Sequence, residues 1–472
     1  MELPCDPKDL VVGARELVPL ADGRFVRYVN LDNAASTPPL VAVADAVADL
    51  LPYYASVHRG AGYKSRFCTE AYEVARHRVG SFFGADPDRD VVIFGRNTTD
   101  AVNKLAHRLP VSTAGDRAER VVVTTLAEHH SNLLPWRARG PVVQVGLRPD
   151  GSIDLDQLGA ALRRHAGRID LVAVSGASNV TGLVPPIHEL ASWAHAAGAP
   201  ILVDGAQLAP HRPIDLRPHD DPGHIDYLAI SGHKLYAPYG AGALIGPRAT
   251  FDLGAPEYQG GGTVDTVTAD GVIWAPAPDR DEAGSPNVVG AVALGVALKT
   301  LAAIGMDRVA AAEHQLMTAA VESLRPISGV RLVEPADPAV DRVGVIPFEV
   351  LDDGGDPVDH RLVAARLAHE HGIGVRNGCF CAHPLLATLL DIPPDEIQDW
   401  ATRRGDGFRP GLLRASLGCY SDVDDVDRLA AALVAIAKEP SPWPYRLGDD
   451  GQFSPDTRPG WLPPRLQELL RP

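Results

Sequence analysis

Seven short aliphatic and β-branched runs lie between Val91 and Gly246, and they leave few folds open. They are "VVIF" (91–94), "RVVVTT" (120–125), "VVQV" (142–145), "DLVAVSG" (170–176), "PILVDGA" (200–206), "DYLAIS" (226–231) and "GALIG" (242–246). The runs are nearly continuously apolar rather than alternating, so each strand must be covered on both faces. Helical periodicity fills the intervals at Asp100–Leu109, Asp154–His165 and His188–Ala197. Strand, helix and strand in repeated succession predict an α/β fold with one large, mostly parallel sheet of the seven-stranded type. Past Gly284 a helical pattern runs to about Leu301. It is followed by a strand ("VGVIPFEV"), a helix ("DHRLVAARLAHEHG"), a strand ("LLRASLG") and a helix ("DVDDVDRLAAALVAIAKE"). This predicts a second, smaller α+β domain. The expected organisation is an N-terminal segment (1–30), the large α/β domain (31–290), the small α+β domain (291–440) and an irregular Pro/Gly-rich tail (441–472).

Composition removes several classes of function. The chain of 472 residues has a net charge of -16 and no basic run, which argues against nucleic acid as a partner. The start, "MELPCDPKDL", has neither the cationic opening nor the apolar run of a secretory signal. The most apolar stretch, Val288–Leu298, is 11 residues long, too short to cross a bilayer. A cytoplasmic location and no membrane partner are expected. Five cysteines, an odd number without a secretory signal, argue against a disulfide framework. Cys379 and Cys381 form a C-x-C pair with no second pair, so no metal site is expected.

Ligands of such sheets sit at the carboxyl ends of the strands. Polar residues recur there in chain order: Asn97, Thr98 and Thr99; Glu128, His129 and His130; Asn179; Asp204 and Gln207; then Ser231, His233 and Lys234. Taken singly, Asn, Thr and Asp are ordinary helix caps. Together they describe a crevice. A lysine at the end of an apolar strand among glycines has a depressed pKa, and its neutral amine is suited to a Schiff base with a carbonyl. Pyridoxal phosphate supplies that carbonyl. Its phosphate needs a helix N-terminus with hydroxyls, which "NTTD" offers. Its ring nitrogen needs a carboxylate, for which Asp204 is the candidate. His129 is a flat partner for the ring face, and Gln207 and Asn179 are donors for the phenolic oxygen.

The motifs that carry this set are "LDNAASTPP" (31–39), "SVHRG" (56–60), "NTTDAVN" (97–103), "EHHSNLLPW" (128–136), "SNVTG" (178–182), "VDGAQ" (203–207), "SGHKLYAPYGAGALIG" (231–246), "GGGTV" (260–264), "EAGSPN" (282–287), "VRNGCFCAHPL" (375–385) and "LRASLGCY" (413–420). In this order, over roughly residues 28–440, the chain resembles the class V branch of fold-type I pyridoxal-phosphate enzymes. Within it, the resemblance is to the SufS-like cysteine desulfurases and selenocysteine lyases. It implies that Lys234 binds the cofactor covalently and that Asp204 pairs with the ring nitrogen. Gln207 and Asn179 would lie near the phenolic oxygen and His129 on the ring. Thr98, Thr99, Ser231 and His233 would hold the phosphate. Thr263 would reach the phosphate of a neighbouring subunit, which implies a homodimer. Arg414 would grip the substrate carboxylate, with Arg376 nearby and Ala34 lining the pocket.

In the resemblance the decisive residue is Cys381, in "RNGCFCAHP" (376–384). Desulfurases of this group carry their nucleophile in a loop of the form R-x-G-x-x-C-A-x-P. A thiolate there takes sulfur from L-cysteine as a persulfide, leaves L-alanine and hands the sulfur to an acceptor protein. His129 is the group that would exchange protons with substrate or product. Buried cysteines often only pack, and Cys379 is a competing thiol or an auxiliary one. "RNGCFC" stands where "RTGHHC" is usual, Gly62 and Tyr63 follow the "HRG", and the tail past Pro440 is extra. These departures touch the substrate pocket and leave the cofactor cradle intact. They keep open an alternative, a class V enzyme of specialised metabolism (carbon–sulfur lyase, aminotransferase or epimerase) acting on another amino acid.

Overall fold

The computed structural model describes residues 6–58, 60–109, 120–335, 337, 339–393, 396, 410–456 and 468. Cys5 lies outside them. All seven apolar runs form strands: β1 (Asp90–Gly95), β2 (Val121–Thr125), β3 (Val142–Val145), β4 (Ile169–Ser175), β5 (Ile201–Asp204), β6 (Tyr227–Ser231) and β7 (Gly242–Pro247). They make one seven-stranded sheet in the order β1-β7-β6-β5-β4-β2-β3. β7 runs antiparallel to β1 and β6, and the other neighbours pair in parallel.

Alternation along each strand divides the sheet's two cores. Val92, Phe94, Val172, Val174, Val203, Leu228 and Ile230 face one layer. Their neighbours Val91, Ile93, Leu171, Ala173, Leu202, Tyr227 and Ala229 face the other. The first layer packs beneath α1 (Val41–Leu50), α2 (Tyr63–Phe82), α4 (Leu155–His165), α5 (Ile187–Ala196) and α6 (Val288–Ile304). The second packs beneath α3 (Thr98–Arg108) through Ala101, Val102, Leu105 and Ala106. Full burial of both faces is why the runs are continuous rather than alternating. α6 holds the most apolar stretch of the sequence inside this core. Among the described residues no single helix is long and apolar enough to cross a membrane. α6 and the helix after it, α7 (Met306–Leu324), together reach the length but are bent by 74°.

A second, antiparallel sheet is built from β10 (Val330–Leu332), β11 (Val345–Val350), β12 (Arg376–Gly378) and β13 (Leu412–Ser416), in the order β10-β11-β13-β12. One face packs on α7, α8 (His360–His371) and α9 (Val423–Lys438), through Leu316, Phe348, Leu367, Leu413, Ala415 and Leu429. The N-terminal segment is stitched into this unit. Val29–Asn30 pairs in parallel with Ile373–Gly374, Leu31 enters the core, and Asp32 bridges to Ser416.

Two parts differ from the sequence expectation. α1 and α2 are additional helices, packed against α6. The tail, expected to be irregular, holds a hairpin of β14 (Tyr445–Leu447) and β15 (Phe453–Pro455) beside α8. Of residues 457–472, only 468 lies within the described residues.

Candidate active site

At the carboxyl ends of β4, β5 and β6 the chain encloses a cavity of about 240 Å³. Every residue given a cofactor, substrate or catalytic role from the sequence lines it, Thr263 excepted: Ala34, Thr98, Thr99, His129, Asn179, Asp204, Gln207, Ser231, His233, Lys234, Arg376, Cys381 and Arg414; the strand-end His130 and the second thiol Cys379 do not. Thr263 is buried at the start of the exposed hairpin of β8 (Val264–Val267) and β9 (Val272–Trp274), its Oγ1 donating to the Gly260 carbonyl at 2.7 Å. Asn97, Ser131, Ser175, Ala177, Ala206 and Phe380 also contribute to the wall. Glu128, another strand-end residue, lies beneath it. Its carboxylate accepts from Thr125, Ser175 and Asn132, each at 2.7 Å, and full burial raises its pKa to about 7.

One end of the cavity is an anion cradle. α3 begins there, with Asn97 as its N-cap, accepting from the Asp100 N–H at 3.0 Å. Thr98 and Ser231 share a hydroxyl–hydroxyl hydrogen bond of 2.8 Å, and the Thr98 N–H donates to Ser231 Oγ at 2.9 Å. Thr99 joins Ser131 at 2.6 Å. Gly242 makes this approach possible: a Cβ there would lie 2.6 Å from Asn97 Cα, so any larger residue would push the helix start off the sheet. Orphan N–H groups, hydroxyls and the helix dipole converge on one spot.

Lys234 and Asp204 face each other from the ends of adjacent strands. Asp204 is buried and Lys234 half-buried. Burial lowers Lys234 to about 8, partly offset by Asp204, and burial raises Asp204 above the usual carboxylate range. The Lys234 ammonium also lies 3.4 Å from Gln207 Oε1. His129 is held at about 4, first by burial and then by the charge of Lys234. The Ser131 N–H donates to its Nδ1 at 3.1 Å, so the neutral ring carries its proton on Nε2.

The second sheet supplies the opposite wall. Leu413 and Ala415 point into its core, so Leu412, Arg414 and Ser416 point away from it. Arg414 stands directly across from Arg376 on β12. Asp32 bridges the two, 3.0 Å from Arg414 and 3.8 Å from Arg376. Sequence reading missed Asp32, because its role depends on pairing with Ser416, far away in the chain. Burial lowers Arg414 to about 10, with Asp32 opposing the shift. The guanidinium donates to the Asn179 carbonyl at 2.9 Å, while its buried Nε has no partner among the described residues. Asn179 in turn donates from Nδ2 to the Phe380 carbonyl at 2.8 Å, holding the Cys381 loop against the large sheet. Cys381 is an exposed free thiol on the cavity wall.

Fold and site together define a class V aminotransferase arrangement, and the family model of class-V aminotransferases matches residues 29–429. The chain belongs to this pyridoxal-phosphate-dependent family and is an enzyme of it. It is 38% identical over 414 residues to a cysteine desulfurase of Dickeya dadantii, spanning 86% of this chain and 91% of that one. It is 34% identical over 420 residues to a probable cysteine desulfurase 2 of Mycobacterium leprae, spanning 86% and 90%. The apo cysteine desulfurase of Thermococcus onnurineus superposes with a TM-score of 0.76 at 29% identity, over 93% of this chain and 99% of that one. The Escherichia coli cysteine desulfurase CsdA superposes with a TM-score of 0.71 at 31% identity, over 86% and 94%.

The residues present fit the family's cofactor. The α3 cradle suits a phosphate, the enclosed Asp204 a ring nitrogen, and the depressed amine of Lys234 an aldehyde.

Proposed function

We propose that the chain is a cysteine desulfurase, converting L-cysteine to L-alanine and keeping the sulfur on Cys381 as a persulfide. The observation that carries this is the shared cavity, in which Cys381 on the second sheet's loop faces Lys234 on the first sheet. Thr98, Thr99, Ser231 and His233 hold the cofactor phosphate, Asp204 its ring nitrogen, and Gln207 and Asn179 stand beside its phenolic oxygen. When bound, pyridoxal phosphate supplies an electron sink for charge developing on the substrate carbon.

Arg414 binds the substrate carboxylate, and its unpaired buried Nε is the donor left over for it. Arg376 adds charge, and Ala34 closes the pocket floor. His129, neutral at physiological pH and bearing its proton on Nε2, passes protons to and from the substrate. The Cys381 thiolate attacks the substrate sulfur. A sulfur–sulfur bond forms as the carbon–sulfur bond breaks, and the carbon takes up a proton to leave L-alanine.

The functional unit we infer is a cytoplasmic homodimer in which Thr263 reaches the neighbour's phosphate. Exposed Val267, Val272 and Ile273 on the adjoining hairpin support it, since they have no cover among the described residues. A sulfur-acceptor protein completes the cycle. The test is alanine and sulfide production from L-cysteine by the wild-type holoenzyme and by Cys381→Ala. Alanine formed only by the wild type is expected; an undiminished rate in the variant refutes the assignment.

A further inference from the structure

A second thiol stands beside the nucleophile. Cys379 and Cys381 are the first and third residues of one tight turn, closed by the Ala382 N–H donating to the Cys379 carbonyl at 3.0 Å. Its two central residues, Phe380 and Cys381, have φ of 53° and 56°. Two consecutive left-handed residues cost about 1 kcal/mol or more each, so the surroundings must hold them. They do. The Phe380 carbonyl accepts from Asn179 at 2.8 Å, and the Cys381 carbonyl accepts from the His130 N–H at 2.8 Å. The Arg414 guanidinium lies over the Phe380 ring at 4.9 Å.

The turn holds the two cysteines within one closed loop of four residues. The nearby His383 imidazole is the main reason the Cys379 pKa is lowered in spite of burial. His383 is stacked on His130, ring centres 4.9 Å apart, with 3.1 Å between Nδ1 and Nε2. Cys381 lines the cofactor cavity and Cys379 does not. Cys381 is the exposed thiol, on the cavity wall, whereas Cys379 is half-buried behind that wall, packed against the apolar cluster of Phe380, Leu385 and Leu412.

We propose that Cys379 is a second sulfur carrier, which takes the outer sulfur of the Cys381 persulfide across the turn and holds it behind the cavity wall, out of the cofactor cavity. The inference rests on Cys381 being the primary nucleophile. His383 takes the proton of the Cys379 thiol. The Cys379 thiolate attacks the outer sulfur of Cys381–S–SH. A sulfur–sulfur bond forms on Cys379 as the one on Cys381 breaks, giving Cys379–S–SH and a Cys381 thiolate. No oxidant or reductant is consumed. Cys381 is then ready for a second substrate before any acceptor has arrived.

The experiment mixes holoenzyme with excess L-cysteine, without acceptor or reductant, and quenches rapidly with an alkylating agent. Alanine is counted in the burst, and sulfur is located by fragmenting the tryptic peptide that follows Arg376. The wild type is expected to release about two alanines per chain in the burst, and Cys379→Ser about one, a twofold fall. Wild-type peptide is expected to carry the extra sulfur on Cys379 as well as Cys381. A wild-type burst of one alanine with sulfur on Cys381 alone overturns the proposal, and so does a Cys379–Cys381 disulfide with released sulfide. The peptide measurement on the wild type decides without any variant. A full burst from Cys381→Ala is the separate result that removes the underlying assignment.

Discussion

The charge state of Lys234 sets how readily the apoprotein captures its cofactor, and the structure fixes where that charge is lost. Burial lowers the amine from an ordinary 10.5 to about 8. At pH 7 an amine of pKa 8 is neutral in about 9% of molecules, against about 0.03% at 10.5, a gain of about 300-fold in reactive form. The shift has a stability cost of the same origin. Below pH 8 both folded and unfolded chains carry the charge, and the folded one bears the full penalty, about 3 kcal/mol. Between pH 8 and 10.5 the folded chain has released the proton and the unfolded chain has not, so this contribution to stability rises with pH and the penalty is gone above 10.5. The assay is stopped-flow absorbance of pyridoxal phosphate mixed with apoprotein between pH 6 and 10. The rate is expected to climb about tenfold per pH unit at low pH and to level off near pH 8. A rate still climbing at that slope through pH 9.5 refutes the burial argument. It would mean that Asp204 holds the ammonium charged against desolvation.

Three further outcomes follow from the geometry. His129, held at about 4 by burial and by Lys234, stays neutral through pH 5–7, so turnover should show no acid limb centred near 6.5; an acid limb there that vanishes in His129→Asn contradicts the shift. Arg108 and Asp281 form a buried double-pronged ion pair, with bonds of 2.7 and 2.9 Å, that anchors α3 to the segment before α6. Asp281→Asn leaves the guanidinium short of countercharge and should cost about 3–5 kcal/mol in denaturant unfolding, and a loss below about 1 kcal/mol would sink that account. Gly242→Ala drives a methyl to within 2.6 Å of Asn97 Cα, so cofactor affinity should fall at least tenfold with little change in far-ultraviolet dichroism; unchanged affinity would show that the cradle tolerates the shift.

The large sheet was legible because burial on both faces writes itself into the sequence as unbroken β-branched runs. The polar residues at the strand ends follow from that register: once β5 ends at Asp204 and β6 at Ser231, their side chains and those just beyond must meet. α2 carried a signal that went unread. Cys68, Tyr72, Ala75 and Val79 are spaced four, three and four apart and form its buried face, but the helix is polar on average and opens after an irregular segment. Asp32 had no signal, since nothing local distinguishes a carboxylate that will bridge two arginines on another sheet. The tail hairpin was hidden for a similar reason. Its strands are three residues each, bounded by Pro and Gly, and it exists by packing on α8.

The division of labour between the two sheets explains why the departures in the Cys381 loop leave the cofactor site intact. Every group that suits the phosphate, the ring nitrogen and the aldehyde comes from the large sheet or α3, where backbone register fixes it. Cys381, Arg376 and Arg414 come from the second sheet and its loop. The two walls meet through few polar contacts. Asn179 reaches Phe380 and Arg414, His130 reaches Cys381, and Asp32, threaded in from the N-terminal segment, lies between both arginines. Replacing a residue at Cys379 or Phe380 therefore changes what happens to sulfur and spares the charges that hold the cofactor. Replacing Asp32 acts on the other axis: it leaves two arginines, one buried, without their shared carboxylate, which strengthens the pull on any anionic ligand while weakening the seam between the sheets. Asp32→Asn should lower the concentration of L-cysteine at half-saturation and lower unfolding stability together. If substrate affinity fell instead, the carboxylate would be orienting Arg414 for the substrate rather than competing with it.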